Sequence, residues 1–287
     1  MKKAVFFAVL AAVLYALNAP LSKLLLQNVP PTVMAGLLYL GAGIGMCVMG
    51  LIRKHTALAG KETGLRRKDL PYTLGMIILD IAAPVFLMVG LKKTAAANAS
   101  LLNNFEIVAT SMIAMVFFKE KIGKRLWAAI GLITISSILL SVEDAGSFQF
   151  SIGSLFVLLA CICWGLENNC TRCLSHSDPL EIVVVKGLCS GIGSVAIGLA
   201  VGESLPQIRD VVLILLLGFV AYGLSIFFYV YAQRDLGAAK TSAYYAIAPF
   251  VGVLLSFAVF REIPGITFFV ALVIMMAGTW LINQEQN

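Results

Sequence analysis

The sequence predicts an all-α membrane protein of ten transmembrane helices, arranged as two inverted five-helix repeats. Three observations carry this. First, 60% of the 287 residues are hydrophobic and 13% are charged, too little charge to cover a soluble domain of this length. Second, apolar runs of about 20 residues recur along the chain, each long enough to cross about 30 Å of hydrocarbon. Third, the chain restarts. A shift of 149 positions puts Trp164 on Tyr15, Glu167 on Asn18, Arg172 on Lys23 and Pro179 on Pro30. A shift of 142 puts Ala238-Ala239 on Ala96-Ala97, Ser242 on Ser100 and Phe260-x-Glu262 on Phe118-x-Glu120. The basic 53–69 loop is longer than its counterpart near 202–208 and absorbs the difference. Each half holds five helices, an odd number, so the halves enter the membrane from opposite sides. The first repeat spans 1–142, the second 151–287, and 143–150 is an extracytoplasmic connection.

The apolar periodicity predicts helices near 4–26, 31–52, 71–91, 95–118, 125–142, 151–173, 179–201, 209–232, 238–260 and 264–283. The short links predict that consecutive helices are antiparallel neighbours. Orientation follows from Lys and Arg. With the N-terminus inside, fifteen fall in cytoplasmic segments and five outside, which places both termini in the cytoplasm. The net charge of +6 therefore sets topology and says nothing of nucleic acid. Met1-Lys2-Lys3 before an apolar run resembles a secretory signal, but the run continues to Leu26 without a small-residue cleavage site.

Taken in order, helix 1 carries Tyr15, Asn18, Pro20 and Lys23. Helix 2 opens at Pro30 and holds Gly36, Gly41, Gly43 and Gly45. Helix 3 carries Asp80 and Pro84. Helix 4 carries Asn103, Asn104 and Glu106 and is closed by Glu120. Helix 6 carries Trp164, Glu167, Asn168, Asn169 and Arg172. Helix 7 carries Lys186 with Gly187, Gly191, Gly193 and Gly198. Helix 9 carries Tyr244, Tyr245 and Pro249 and is closed by Glu262.

Charges deep in a span need a partner or a wet cavity. At about 1.5 Å rise per residue, Glu167 and Lys186 reach similar depth from the cytoplasmic side, so an ion pair is expected, either structural or part of a substrate or proton site. Asp80 and Glu106 both come out near the midplane on neighbouring helices. Two adjacent carboxylates in low dielectric resist being ionised together, which suits a site that loads protons or a cationic substrate group. The alternative is that one of them caps a backbone break at Pro84 or lies nearer a membrane boundary than this depth count gives. Tyr15 and Trp164 are candidate cavity walls. Asn18, Asn103, Asn168, Tyr244 and Tyr245 are candidates for directional contacts in the cavity or for interhelical hydrogen bonds. Pro20, Pro84 and Pro249 are candidate kinks. Gly41 with Gly45, and Gly187 with Gly191, are spaced for close helix packing between halves or across a dimer.

The aromatic-small-x-polar start of each half (Tyr15 to Asn18, Trp164 to Glu167), the basic residue five positions later (Lys23, Arg172), Pro30 and Pro179, and the closing Glu120 and Glu262 resemble the ten-helix EamA-type members of the drug/metabolite transporter superfamily. The resemblance covers both halves. It implies alternating access and export of amino acids, metabolites or drugs across a bacterial inner (cell) membrane. The sequence departs from the family pattern in places: Lys119 and Arg261 stand where the family usually has Gly, and Glu106-Ile107 where it often has Pro.

Other classes have less behind them. No Walker-type phosphate loop is present, so the expected drive is secondary, with protons as one coupling partner. His55 and His176 lie at helix ends, and no nucleophile–base cluster stands in a helix, which argues against a membrane-embedded enzyme. A channel or a non-transporting sensor is the remaining alternative. Cys170-x-x-Cys173 lacks a second ligand pair, so no metal and no cofactor is expected. The expected partners are a small-molecule substrate, protons and the lipid bilayer, with the chain as a monomer or homodimer.

Overall fold

The computed structural model describes residues 2–54, 64–119, 123–144, 149–174, 177–236, 244–261 and 264–285. Glu120, Glu262, Ala238-Ala239, Ser242, His55 and His176 lie outside the described residues.

The first span is α1 (Lys2–Ala16) and α2 (Asn18–Leu25), interrupted at Leu17. Then come α3 (Pro31–Lys54), one 3₁₀ turn at Arg67–Asp69, and α4 (Leu70–Lys93). The fourth span breaks into α5 (Ala96–Leu102) and α6 (Phe105–Phe118), and α7 (Lys124–Ser141) follows. The link between halves is a two-stranded antiparallel ladder of β1 (Val142–Asp144) and β2 (Gln149–Phe150). The second half contains α8 (Ile152–Leu174), α9 (Pro179–Ala200), α10 (Ile208–Gly218), a π-helical segment Phe219–Leu224, α11 (Ser225–Leu236), α12 (Ala248–Phe260) and α13 (Ile266–Glu285). Among the described residues, eight helices are long and apolar enough to cross a bilayer, and Ala248–Phe260 and Ile266–Leu281 are shorter apolar helices.

Local chemistry explains the ends. α9 begins with Pro179 at its first position, behind Asp178, whose carboxylate accepts the Leu180 N–H at 3.0 Å. It ends in a Schellman turn: Gly202 N–H donates to Leu199 O, Glu203 N–H donates to Gly198 O, and Gly202 takes φ +87°. That turn aims Glu203 at the start of α3, where its carboxylate accepts the N–H groups of Thr32 and Val33 at 3.3 and 2.8 Å. At the C-terminal end of the first span, Lys23 Nζ donates to the carbonyls of Leu91, Lys92 and Thr94 at 2.6, 3.2 and 2.8 Å. A cation there complements the α4 C-terminus. Lys119 and Arg261 end α6 and α12 in the left-handed region, each at φ 55°. This is the conformation that glycine adopts without steric cost.

The main packing joins the two halves. α3 lies along α9 and α10, α4 along α8, α1 along α11 and α12, α5 on α12, and α7 on α13. The expectation that chain neighbours pack side by side holds for α3 with α4, whereas α8 and α9 both pack on α4. Missing side chains let the helices of the two halves approach closely. A Cβ on Gly187 would lie 2.5 Å from Gly43 N, and one on Gly191 would lie 2.7 Å from Leu40 N. Gly41 abuts the Leu215 carbonyl of α10, and Gly45 abuts the Phe219 ring. Gly90 and Gly153 bring α4 equally close to α8. All four glycines singled out by spacing therefore lie at helix contacts between halves.

Candidate functional site

α4, α8 and α9 converge on one buried ion cluster. Lys186 Nζ lies 3.1 Å from Asp80 Oδ2 and 3.0 Å from Glu167 Oε1. Asp80 is fully buried and Glu167 is 2% exposed, so these charges face each other in low dielectric with little water to screen them. The cluster extends outward by hydrogen bonds. Tyr39 of α3 donates its hydroxyl to Asp80 Oδ1 at 2.8 Å. Trp164 Nε1 donates to the Tyr39 hydroxyl at 3.5 Å. Thr171, one turn along α8, donates to Glu167 Oε1.

The expected Glu167–Lys186 pair is present and enlarged by Asp80. The expected meeting of Asp80 and Glu106 does not occur. α8 and α9, rather than α6, pack on α4, so Asp80 turns to Lys186 and Tyr39. Glu106 turns to α8, where Asn168 donates its amide to Oε1 at 2.7 Å. The same amide reaches Thr110 Oγ1 at 3.3 Å. Asn169 bonds the carbonyls of Gly165 and Thr110, which pins α8 to α6.

A second cluster is uncharged. Asn18 donates its amide to the Tyr222 hydroxyl at 3.0 Å, and Ser22 donates to Asn18 Oδ1 at 3.0 Å. The Tyr15 ring stands edge-on to Tyr222 at 5.9 Å and tilted to Tyr245 at 5.9 Å. Tyr39 lies 5.2 Å from Tyr222 and so links the two clusters. Tyr245 also packs on Tyr229 at 5.0 Å. Tyr244 is 38% exposed and takes no part in either cluster among the described contacts.

Sequence reasoning missed Tyr39, which holds Asp80, and Tyr222, which sits in a π-helical segment that apolar periodicity does not signal. The 142-position shift would have found Tyr222, since it falls on Asp80. The break at Asn103-Asn104 was also missed. Asparagine offers the backbone local hydrogen bonds that compete with helix, and Asn104 Nδ2 donates to Leu101 O at 3.4 Å. Among the three prolines, Pro20 follows the break at Leu17 and Pro249 follows a turn at 246–247. Pro84 lies within the continuous α4, so neither Asp80 nor Glu106 caps a break there.

A cleft of about 10 Å³ lined by Tyr15, Asn18, Ser100, Asn103, Pro249 and Gly252 holds about one water at most. A larger cavity of about 310 Å³ lies apart from both clusters, between Ala96, Asn98, Leu140, Phe257, Phe260 and Phe268. Among the described residues no group of three His, Cys, Asp or Glu side chains is placed to hold a metal ion.

Among the described residues, ten apolar helical segments and a buried polar centre between two packed halves define a multi-pass membrane protein. The EamA-like transporter family matches residues 2–142 and again 151–284, and the chain belongs to this family. It is 23% identical over 291 residues to an "Uncharacterized transporter" of Methanothermobacter thermautotrophicus, covering 95% of this chain and 83% of that protein. It is 23% identical over 226 residues to "Uncharacterized transporter YyaM" of Bacillus subtilis, covering 76% and 74%. A solved crystal structure aligns over 99% of this chain and 98% of its own, with a TM-score of 0.71 at 17% identity, a likeness that speaks for the fold. Family and relatives alike are described as transporters.

Proposed function

We propose that the chain is a secondary active transporter that exports a small metabolite, amino acid or drug-like compound by alternating access. Two inverted five-helix repeats rock about the central clusters, and protons supply the drive. The chain sits in a bacterial inner (cell) membrane with both termini in the cytoplasm. A single chain holds both halves and works as a monomer or homodimer.

The observation that carries this reading is the Asp80–Lys186–Glu167 cluster, a costly set of buried charges at the interface between halves. The inverted repeat draws support from features that recur at the two shifts. Ser22 bonds Asn18, and Thr171 bonds Glu167, each four residues back and 149 apart. Lys119 and Arg261, 142 apart, share φ 55°. Helix breaks at Leu17, Asn103 and residues 246–247 supply the irregular backbone that carriers place beside their sites.

The test is flux in proteoliposomes under an imposed pH gradient, with wild type, Asp80→Asn and Glu106→Gln. Concentrative, gradient-dependent uptake lost in either variant supports proton coupling. Full activity in both removes it, and high flux indifferent to the gradient replaces the carrier with a channel.

A further inference from the structure

Donors and acceptors around the small central cleft do not balance. The cleft lies where the end of α1, the break at Asn103 and the start of α12 meet. Donors there are largely spent. Asn18 Nδ2 donates to the Tyr222 hydroxyl, the Asn103 N–H donates to Ala99 O, and the N–H groups of Phe250 and Val251 both donate to Ile247 O. Pro20 and Pro249 have no N–H. Acceptors are left over. Among the described residues, Ser100 Oγ and Asn103 Oδ1 have no hydrogen-bond partner, although these residues are only 3% and 8% exposed. Ala16, the last residue of α1, lines the cleft too, and its carbonyl receives no N–H from Pro20. Gly252 lets these oxygens gather, since a Cβ there would stand 2.9 Å from Ser100 Oγ and 3.5 Å from Ala16 O. What remains is a set of neutral oxygens around about 10 Å³, room for one small guest.

We propose that the Ala16 carbonyl, Ser100 Oγ and Asn103 Oδ1 form a binding site for one dehydrated sodium ion. Broken transmembrane helices offer an alkali cation the carbonyls at their unwound ends. α1 ends at Ala16 and α5 at Leu102, and the negative end of a helix dipole favours a cation. Asn18 Oδ1 accepts Ser22 and keeps a second lone pair beside the same cleft. The other guests fit less well. Divalent cations are ordinarily held through carboxylates, and none lines the cleft. For the same reason the cleft is not a proton site. Organic cations exceed its volume. A water molecule is the competing guest, but it would make the protein indifferent to which cation is in solution. The inference goes beyond the carrier reading and does not rest on it: neither Glu106 nor the Asp80–Lys186–Glu167 cluster lines the cleft. An ion held there ties the broken first span to the broken fourth span, against α12 of the other half.

The experiment uses the full-length protein in detergent at constant ionic strength, with the chlorides of sodium, potassium and N-methylglucamine as probes. Thermal unfolding and equilibrium binding of radioactive sodium are the readouts. Saturable stabilisation by sodium is expected, with potassium at least tenfold weaker and N-methylglucamine inert. Ser100→Ala should weaken sodium binding at least tenfold. Gly252→Ala, whose Cβ enters the cleft, should abolish it. Ser137→Ala should leave it unchanged, because Ser137 Oγ is also buried and unpartnered but stands outside the cleft. An equal response to sodium and potassium, no saturable sodium binding, or undiminished sodium binding in Ser100→Ala overturns the proposal and leaves the cleft to water. The readout is binding alone, so failure of the proton-coupled carrier in the flux test leaves the sodium site standing, and failure of the sodium site leaves the carrier.

Discussion

Replacing Lys186 by Met removes the one cation that Asp80 and Glu167 share. Both carboxylates lie almost wholly out of water, and Lys186 stands within 3.1 Å of each. Leaving one buried charge unpaired costs about 3–5 kcal/mol. Two are orphaned here, but Tyr39 and Thr171 still donate to them, so the expected loss stays at about 4 kcal/mol. The triple variant Lys186→Met, Asp80→Asn, Glu167→Gln replaces the cluster with neutral groups of similar volume. It should recover all but about 1–2 kcal/mol, because what destabilises the single variant is uncompensated charge. The assay is reversible unfolding in mixed micelles, followed by circular dichroism, with the single, double and triple variants in one cycle. A single variant within about 0.5 kcal/mol of wild type, or a triple variant no better than the single, refutes the account of the cluster as a mutually dependent ion set.

Gly187→Ala places a Cβ within 2.5 Å of Gly43 N and 2.8 Å of the Tyr39 carbonyl. It should cost about 1–3 kcal/mol in the same unfolding assay, whereas Gly131→Ala, with open space around it, should not destabilise. Lys119→Gly and Arg261→Gly relieve the left-handed conformation at φ 55° and should each stabilise by up to about 1 kcal/mol, read as a rise in Tm. Glu203→Ala uncaps α3 and should cost about 1 kcal/mol, with faster amide exchange at Thr32 and Val33 than at mid-helix residues. Tyr222→Phe removes the acceptor for Asn18 and should cost about 1 kcal/mol, a loss that Asn18→Leu in the same chain reduces.

Much of this architecture is legible in the sequence, because apolar length and an internal shift are one-dimensional signals. Glu167 meets Lys186 as depth along the helices predicts, since rise per residue is fixed by helix geometry. Depth does not say which way a side chain turns, and that is where the reading of Asp80 with Glu106 failed. The rotation of α4 is set by Gly90 against Gly153 of α8 and by Ile81 against Gly193 of α9, contacts between residues far apart in the chain. Tyr222 was hidden for a related reason. A π-helical turn changes which face a residue presents, and neither hydropathy nor proline marks it. The breaks beside Pro20 and Pro249 were announced by a residue that cannot donate. The break at Asn103-Asn104 rests on side-chain hydrogen bonding, which a polar pair inside an apolar run signals only weakly.

The neutral Asn18–Tyr222 pair falls on the charged Glu167–Asp80 pair under the two shifts, and its consequence is energetic. A duplicated carrier with identical halves would have two facing states of equal energy, since exchanging the halves turns one state into the other. The ionic contacts belong to only one of the two related positions, and if the halves are inverted repeats this breaks the degeneracy. A difference of about 1.4 kcal/mol between the facing states makes one of them tenfold more populated at rest. On the inverted-repeat reading, drift of the two copies away from identity therefore gives the resting carrier a preferred side of the membrane.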